Sequence, residues 1–186
     1  MTIYSTKNKL PNKGLMIMKI NDAIHLDLLA AQKVAYQPIG LTCHQVTQET
    51  ESQEYGACTF TLNNQLITFR VAKITPTKIG QFVTLWKRAG NGPIMPFDMA
   101  DPIDLFIISV RYEHHFGQFV FPKELLWQKG FVSKDGIGGK RAMRVYPPWN
   151  ITDSPQAKKT QAWQLQYFVE IQPILDVITI KRLFFV

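Results

Sequence analysis

The sequence predicts a single-domain α+β protein with a central mixed β-sheet flanked by helices. Three observations support this class: helical spacing of apolar residues near both ends, β-rich segments between them, and a stretch at residues 105–112 that is apolar on both faces. A strand buried at the middle of a sheet has this last pattern. The length of 186 residues suits one domain. We expect residues 1–18 to form a poorly ordered leader and residues 19–186 to form the domain.

The first elements of the domain should be a helix and a β-hairpin. Apolar residues recur at three- and four-residue spacing over residues 21–35, and Asn21 is the expected N-cap. Residues 55–62 and 66–73 are rich in β-formers and are separated by Asn63-Asn64-Gln65. Such a polar, Asn-rich interruption predicts a hairpin loop.

The second hairpin strand should bring a lysine to its apolar face. Strict alternation places Lys73 with the apolar residues and Arg70 on the opposite face. A buried ammonium without a partner is costly, so Lys73 should either emerge at the strand end or lie beside an anion. Residues 81–88 predict a further strand, because the run from Phe82 to Trp86 consists of β-formers.

The second half of the chain continues the alternation of strands and helices. The predicted elements are strands at residues 105–112 and 118–121, a helical turn at 123–128, a strand at 142–146 and a helix at 157–168. Over residues 169–186, isoleucine and valine favour a strand before Lys181-Arg182.

The composition favours an acidic partner and excludes several classes of protein. The formal net charge is +7, and no Asp or Glu occurs between Tyr55 and Phe97. Cys43 and Cys58 lack C-x-x-C spacing, so neither a disulfide framework nor a zinc site is expected. The longest apolar runs are too short to span a bilayer. We therefore expect a cytoplasmic protein without membrane insertion.

Two basic segments are candidate binding sites. In the first, which follows the predicted hairpin, lysines and hydroxyls alternate before Gly80, a set of donors suited to phosphate or carboxylate oxygens. Its predicted binding residues are Arg70, Lys73, Thr75, Lys78 and Gln81. It is not a Walker loop, because no Gly-x-x-x-x-Gly-Lys string is present. The alternative interpretation of this segment is a solvated, lysine-rich face that has no binding partner.

The second segment pairs cations with aromatic rings. It comprises Lys140, Arg141, Arg144, Tyr146 and Trp149. Charge for phosphates and flat faces for bases are the features of a groove for single-stranded nucleic acid. The alternative makes Trp149 a core anchor and the basic residues a solvated rim.

Several strings in the sequence resemble the MepB family. They are EYGA at 54–57, FRVAKITPTKIGQFV at 69–83, WKR at 86–88, GQFVFPK at 117–123 and GKRAMRVYPPW at 139–149. The resemblance extends over residues 19–168. It implies a bacterial protein, in some cases encoded beside a multidrug efflux pump, whose biochemical role is poorly defined.

The chain is more distantly similar to the PD-(D/E)xK nuclease superfamily, which implies a restriction-endonuclease-like core. Lys73 would match the signature lysine, but Val71 stands where the signature has an acid. Metal-dependent phosphodiester hydrolysis needs carboxylates to hold the ion. The resemblance therefore implies a degenerate site, with Glu54 and Asp104 as the remaining candidates for a catalytic set with Lys73.

These observations lead to one expected function and two alternatives. The expectation is a protein that binds nucleic acid, or another phosphate-bearing ligand, without catalysis and without a cofactor. The first alternative is a nuclease dependent on magnesium or manganese that uses Glu54, Asp104 and Lys73. The second is an accessory or sensor protein that binds a small anionic metabolite. An enclosed pocket around Lys73 would favour the metabolite, whereas an open groove continuous with Arg144 would favour nucleic acid.

Overall fold

A computed structural model describes residues 24–88 and 90–185 of the chain. The expected leader at residues 1–18 and the expected N-cap Asn21 lie outside the described residues. Within these ranges, no helix is long and apolar enough to cross a lipid bilayer.

A six-stranded mixed sheet forms the centre of the fold, in the order β1-β2-β3-β8-β9-β11. Its strands are β1 (His44–Gln48), β2 (Cys58–Leu62), β3 (Gln65–Val71), β8 (Leu105–Tyr112), β9 (His115–Pro122) and β11 (Phe168–Glu170). Strand β3 runs parallel to β8, and the other neighbours are antiparallel. The predicted α+β class with a central mixed sheet is confirmed.

Four α-helices and two smaller sheets accompany this central sheet in the described part of the chain. The helices are α1 (Leu26–Ala31), α2 (Lys123–Gln128), α3 (Pro155–Gln164) and α4 (Val177–Phe184). The smaller sheets contain β4 (Lys73–Thr75), β5 (Lys78–Thr84) and β10 (Ala142–Val145), and β6 (Trp86–Arg88) with β7 (Ile94–Pro96). Buried side chains of α1 and α4 pack in one core, while those of α2 and the β4-β5-β10 sheet pack in a second core.

The two predicted hairpins of the central sheet are confirmed. Strands β2 and β3 are joined by Asn63 and Asn64, both with positive φ, as a two-residue hairpin turn requires. Strand β8 spans residues 105–112 as predicted, and all its residues from Leu105 to Val110 are buried. Its partner β9 begins at His115, because the turn is shorter than expected.

The helical turn predicted at residues 123–128 is confirmed as α2, whereas the other two predicted helices begin and end at different residues from those expected. Helix α1 begins at Leu26, with the His25 side chain accepting from the Asp27 N–H, and it continues as a π-helix over Gln32–Tyr36. Helix α3 begins at Pro155 because Ser154 caps it, accepting a hydrogen bond from the Ala157 N–H.

The strand predicted before Lys181-Arg182 is wrong, since those residues lie inside helix α4. Asp176 caps this helix, with its side chain accepting from the Thr179 N–H. Ile180, Leu183 and Phe184 recur at helical spacing and are buried in the core shared with α1. Burial of this stripe outweighs the β-propensity of isoleucine and valine.

Arg70 does not face solvent as the alternation of its strand suggested. Strand β3 is an interior strand of the sheet, and the side chains on both of its faces are covered: Phe69 on one face and Arg70 on the other are fully buried. Its Nη1 and Nη2 donate to the two carboxylate oxygens of Glu49, at 2.8 and 2.7 Å, and Nη1 also donates to the Phe69 carbonyl. The carboxylate neutralises the guanidinium inside the protein.

Both cysteines are free and are expected to be unreactive in the folded protein. Burial raises the pKa of Cys43 and of Cys58 to about 12, from an ordinary value near 9. Because the thiolate is the nucleophile, and its higher pKa offsets part of its scarcity, reaction with a disulfide reagent at pH 8 should be roughly thirtyfold to sixtyfold slower than in the unfolded chain. Absorbance of the released thiol, with and without denaturant, measures both rates.

The raised pKa values of the two cysteines also determine how the stability of the protein changes at alkaline pH. The folded pKa values lie above the unfolded ones, so the thiols contribute stability below pH 9 that is lost as the pH rises toward 12. The protein should therefore unfold at a lower denaturant concentration at pH 11 than at pH 8. This decrease should be smaller in a Cys43→Ser, Cys58→Ala variant. Rapid labelling of the native thiols at pH 8 would contradict this account.

Candidate functional site

The three-stranded sheet presents one partly exposed face on which predicted site residues meet. Strand β5 pairs with β4 on one side and with β10 on the other. Lys73 and Arg144 are both directly opposite Phe82, so the three residues form a row across the sheet. This arrangement differs from the sequence prediction, in which Lys73 continued β3. The chain leaves the central sheet at Ala72, and Lys73 begins β4.

The Arg144 side chain spans the turn between β4 and β5. Its Nη2 donates to the Thr75 hydroxyl at 2.8 Å, and its Nη1 donates to the Gly80 carbonyl at 3.1 Å and the Lys78 carbonyl at 3.3 Å. The guanidinium also lies 6.0 Å from the centre of the Phe82 ring. Arg144 therefore ties strand β10 to the tip of the β4–β5 hairpin, which carries Lys78.

Two adjoining open depressions lie beside Arg144, with volumes of about 370 and 350 Å³. They share Arg144, Tyr146, Ser154 and Ala157, so together they form one groove. Its wall opposite the sheet is the first turn of α3. The groove residues outside the shared set are Thr77, Lys78, Ile79 and Asp153 at one end and Phe131, Gln156 and Thr160 at the other.

Gly80 allows the Tyr146 ring to lie at the base of this groove. Gly80 has a φ of +83°, and a Cβ built on it would come within 2.6 Å of the Tyr146 ring. The ring can therefore pack directly on the backbone of β5 only because this residue lacks a side chain.

The charges around the groove are predominantly positive. Lys78 and Arg144 line it, opposed by the exposed carboxylate of Asp153. Lys73 is exposed on the same sheet face, with its ammonium 4.5 Å from the centre of the Tyr55 ring. Asp153 already accepts a hydrogen bond from the Ser154 N–H. The arrangement can accept the oxygens of an anion at Lys78 while leaving aromatic surface beside them.

Five of the ten predicted binding residues meet here, a sixth borders the groove and four lie elsewhere. Lys73, Thr75, Lys78, Arg144 and Tyr146 share the sheet face and the groove. Arg70 and Gln81 are buried, and Gln81 donates to the Arg111 carbonyl. Trp149 packs against His115, with the two rings stacked at 5.0 Å. Lys140 borders the groove, with its ammonium 5.0 Å from the centre of the Phe131 ring, and Arg141 is exposed just before β10.

The residues of the predicted nuclease site do not converge. Asp104 accepts from the Leu66 N–H at 2.7 Å, at the start of β3. Lys73 follows the other end of that strand, roughly 17 Å further along at 3.3 Å per residue. Glu54 is exposed next to Tyr55. Among the described residues, no group of three or more His, Cys, Asp or Glu side chains is placed to hold a metal ion.

Sequence reasoning missed the aromatic residues beside the cations and the helix wall. Phe82 and Tyr55 are partly exposed, and their rings are 6.3 Å apart. Phe82 occupies the outward position of an alternating strand whose neighbours Gln81 and Val83 are buried. That alternation was available in the sequence, but the β4-β5-β10 pairing needed to interpret it was not.

The fold and the groove define a single-domain α+β protein with an open, basic and aromatic surface outside its central sheet. The sequence profile of the MepB-like family matches residues 49–170. The chain therefore belongs to the MepB-like family, and the resemblance read from the sequence is confirmed.

Comparison with solved structures gives two matches. The crystal structure of MepB matches with a TM-score of 0.66 at 32% identity, covering 86% of this chain and 97% of that chain. A bacterial homing endonuclease, I-Ssp6803I, matches with a TM-score of 0.41 at 13% identity, covering 80% of this chain and 90% of that chain. This second likeness concerns the fold alone. A search of curated proteins gives no significant match.

Proposed function

We propose that this protein binds nucleic acid through the groove and the adjoining sheet face, without catalysing a reaction on it. The observation that carries the proposal is that Lys78 and Arg144, from two distant basic segments, line one concave surface. Phosphate oxygens would be held at Lys78 and by the guanidinium edge of Arg144. The phosphate backbone dominates such binding, so affinity should fall as salt rises.

The openness of the groove favours a polymer over a small metabolite. Its two depressions run from Lys78 to Phe131 past Arg144, and neither closes around Lys73. Pockets for small molecules enclose most of the ligand surface, whereas this one leaves a ligand free to extend at both ends. A strand of nucleic acid makes use of that geometry.

Two substitutions that shift the local charge in opposite directions test the proposal. Lys78→Gln should weaken binding of a labelled oligonucleotide by roughly fivefold, equivalent to about 1 kcal/mol, and reduce the salt slope by about 0.7 to 1. Asp153→Asn should strengthen binding by a similar factor, because it removes the opposing charge while its side-chain oxygen can still accept from the Ser154 N–H. Fluorescence anisotropy at several salt concentrations measures both.

Lys181→Gln is the matched control. Lys181 is an exposed lysine on α4, which packs against the opposite face of the central sheet. Its replacement removes the same charge from the whole protein but not from the groove, so binding should remain close to that of the wild type. Equal losses for Lys78→Gln and Lys181→Gln, or no binding by the wild type at low salt, would contradict the proposal.

A further inference from the structure

The exposed face of the three-stranded sheet carries aromatic rings where a solvated sheet would carry polar side chains. Antiparallel sheets with one face in water alternate apolar and polar residues. In β5 the inward Gln81 and Val83 are buried, and Thr84 follows the expected outward pattern, but the outward Phe82 does not. The Tyr55 ring adds to this surface, with its plane at 61° to that of the Phe82 ring.

Cations flank this aromatic pair on both sides. Lys73 and Arg144 are each one strand away from Phe82, on opposite sides. At 4.7 to 4.9 Å between neighbouring strands, their Cα atoms are roughly 10 Å apart across the ring. The ammonium of Lys73 lies over Tyr55, and the guanidinium of Arg144 lies near Phe82. A flat ring between two positive charges matches a base between two phosphates.

From this juxtaposition we propose that the ligand of this face is a single strand, with one unpaired base stacked on Phe82 and its flanking phosphates at Lys73 and Arg144. The inference rests on the proposed function and narrows it to one class of nucleic acid. In a duplex the base faces are covered by their neighbours, so an aromatic ring on a sheet cannot reach them. Such a ring adds affinity only for unstacked bases.

The test compares three labelled ligands with equal numbers of phosphates: an oligothymidine, a hairpin duplex and an abasic oligomer. The wild type should bind the oligothymidine at least about tenfold more tightly than the other two at the same salt concentration. Phe82→Leu should weaken oligothymidine binding by about fivefold to a hundredfold and leave abasic binding unchanged, because it removes stacking but no charge.

Phe82→Trp supplies a readout that a merely structural role would not change. The introduced indole should retain oligothymidine affinity, and its fluorescence should be quenched on binding oligothymidine but not the abasic oligomer. Trp127→Leu is the matched control: Trp127 is an exposed aromatic with the Lys134 ammonium 5.0 Å from its ring, on α2 and outside this face. Its loss should change none of the three affinities.

The outcomes separate this inference from the proposed function. Duplex binding as tight as oligothymidine binding, or an equal loss of abasic binding in Phe82→Leu, would overturn the single-strand assignment. If Lys78→Gln and Asp153→Asn still shift affinity in opposite directions in that case, the groove remains a nucleic-acid site. If those two variants have no effect on any ligand, the proposed function itself fails.

Discussion

Replacing Glu49 with glutamine is expected to lower the free energy of unfolding by about 3–5 kcal/mol. Glu49 supplies both oxygens of a bidentate pair to Arg70, whose side chain is 1% exposed. Glutamine keeps the size of the side chain but removes the charge, and it replaces one acceptor with an amide donor. The guanidinium then stays buried without a counter-charge, which is the costly state for an ion pair. Urea unfolding monitored by circular dichroism measures the change.

Glu51→Gln is the matched control for that prediction. Glu51 accepts from the Nε of Arg88 at 2.7 Å, but both side chains are more than a third exposed, at 41% and 34%. Water screens this ion pair and solvates the Arg88 guanidinium after the substitution. The free energy of unfolding should therefore fall by less than about 1 kcal/mol. Equal losses of stability in the two variants would show that the burial of Arg70 does not determine the effect of Glu49→Gln.

Removing both partners of the buried pair should restore part of the stability. A Glu49→Leu, Arg70→Met variant has no unpaired charge and fills much of the same space with apolar atoms. Such replacements are often neutral or stabilising relative to the ion pair. The double variant should therefore unfold at a higher urea concentration than Glu49→Gln. A double variant less stable than Glu49→Gln would indicate that the lost packing outweighs the removed charge.

The sequence was sufficient to predict those elements that are determined by residues close together in the chain. The β2–β3 hairpin follows from Asn63 and Asn64, and β8 follows from its continuous apolar run. The assignment of Arg70 to the surface failed for a nonlocal reason. Its partner Glu49 lies in a polar stretch that resembles a loop, and only the folded sheet brings the two together. No periodicity in either segment encodes that pairing.

The candidate site shows the same division between local and nonlocal information. Lys73, Lys78, Arg144 and Tyr146 were identified from residue type alone, since cations and aromatic rings are recognisable in any context. Their shared surface depends on the pairing of β10 with β5, which joins segments far apart in the chain. Phe82 was therefore assigned as an ordinary strand residue, because its outward position has meaning only once both neighbouring strands are known.

Replacing Gly80 with alanine is expected to damage the fold and the groove together, lowering the free energy of unfolding by about 2–4 kcal/mol. About 1–2 kcal/mol comes from placing an L-residue at a φ of +83°. A similar amount comes from the new Cβ, which would meet the Tyr146 ring at 2.6 Å and the Val145 carbonyl at 3.0 Å. Because a backbone carbonyl paired in a sheet cannot retreat, we expect the Tyr146 ring to move instead, which changes the base of the groove.

Gly138→Ala separates these two contributions. Gly138 has a closely similar φ of +78°, but a Cβ built on it has no neighbour within 4 Å. This variant should therefore lose only the conformational part of the free energy and should bind oligonucleotide like the wild type. Gly80→Ala should lose both parts and, if Tyr146 lines the binding site, should also bind more weakly. Equal unfolding curves for the two variants would mean that the Tyr146 ring can move away from the new Cβ without loss of stability. The packing of β5 against this ring would then no longer explain the shape of the groove.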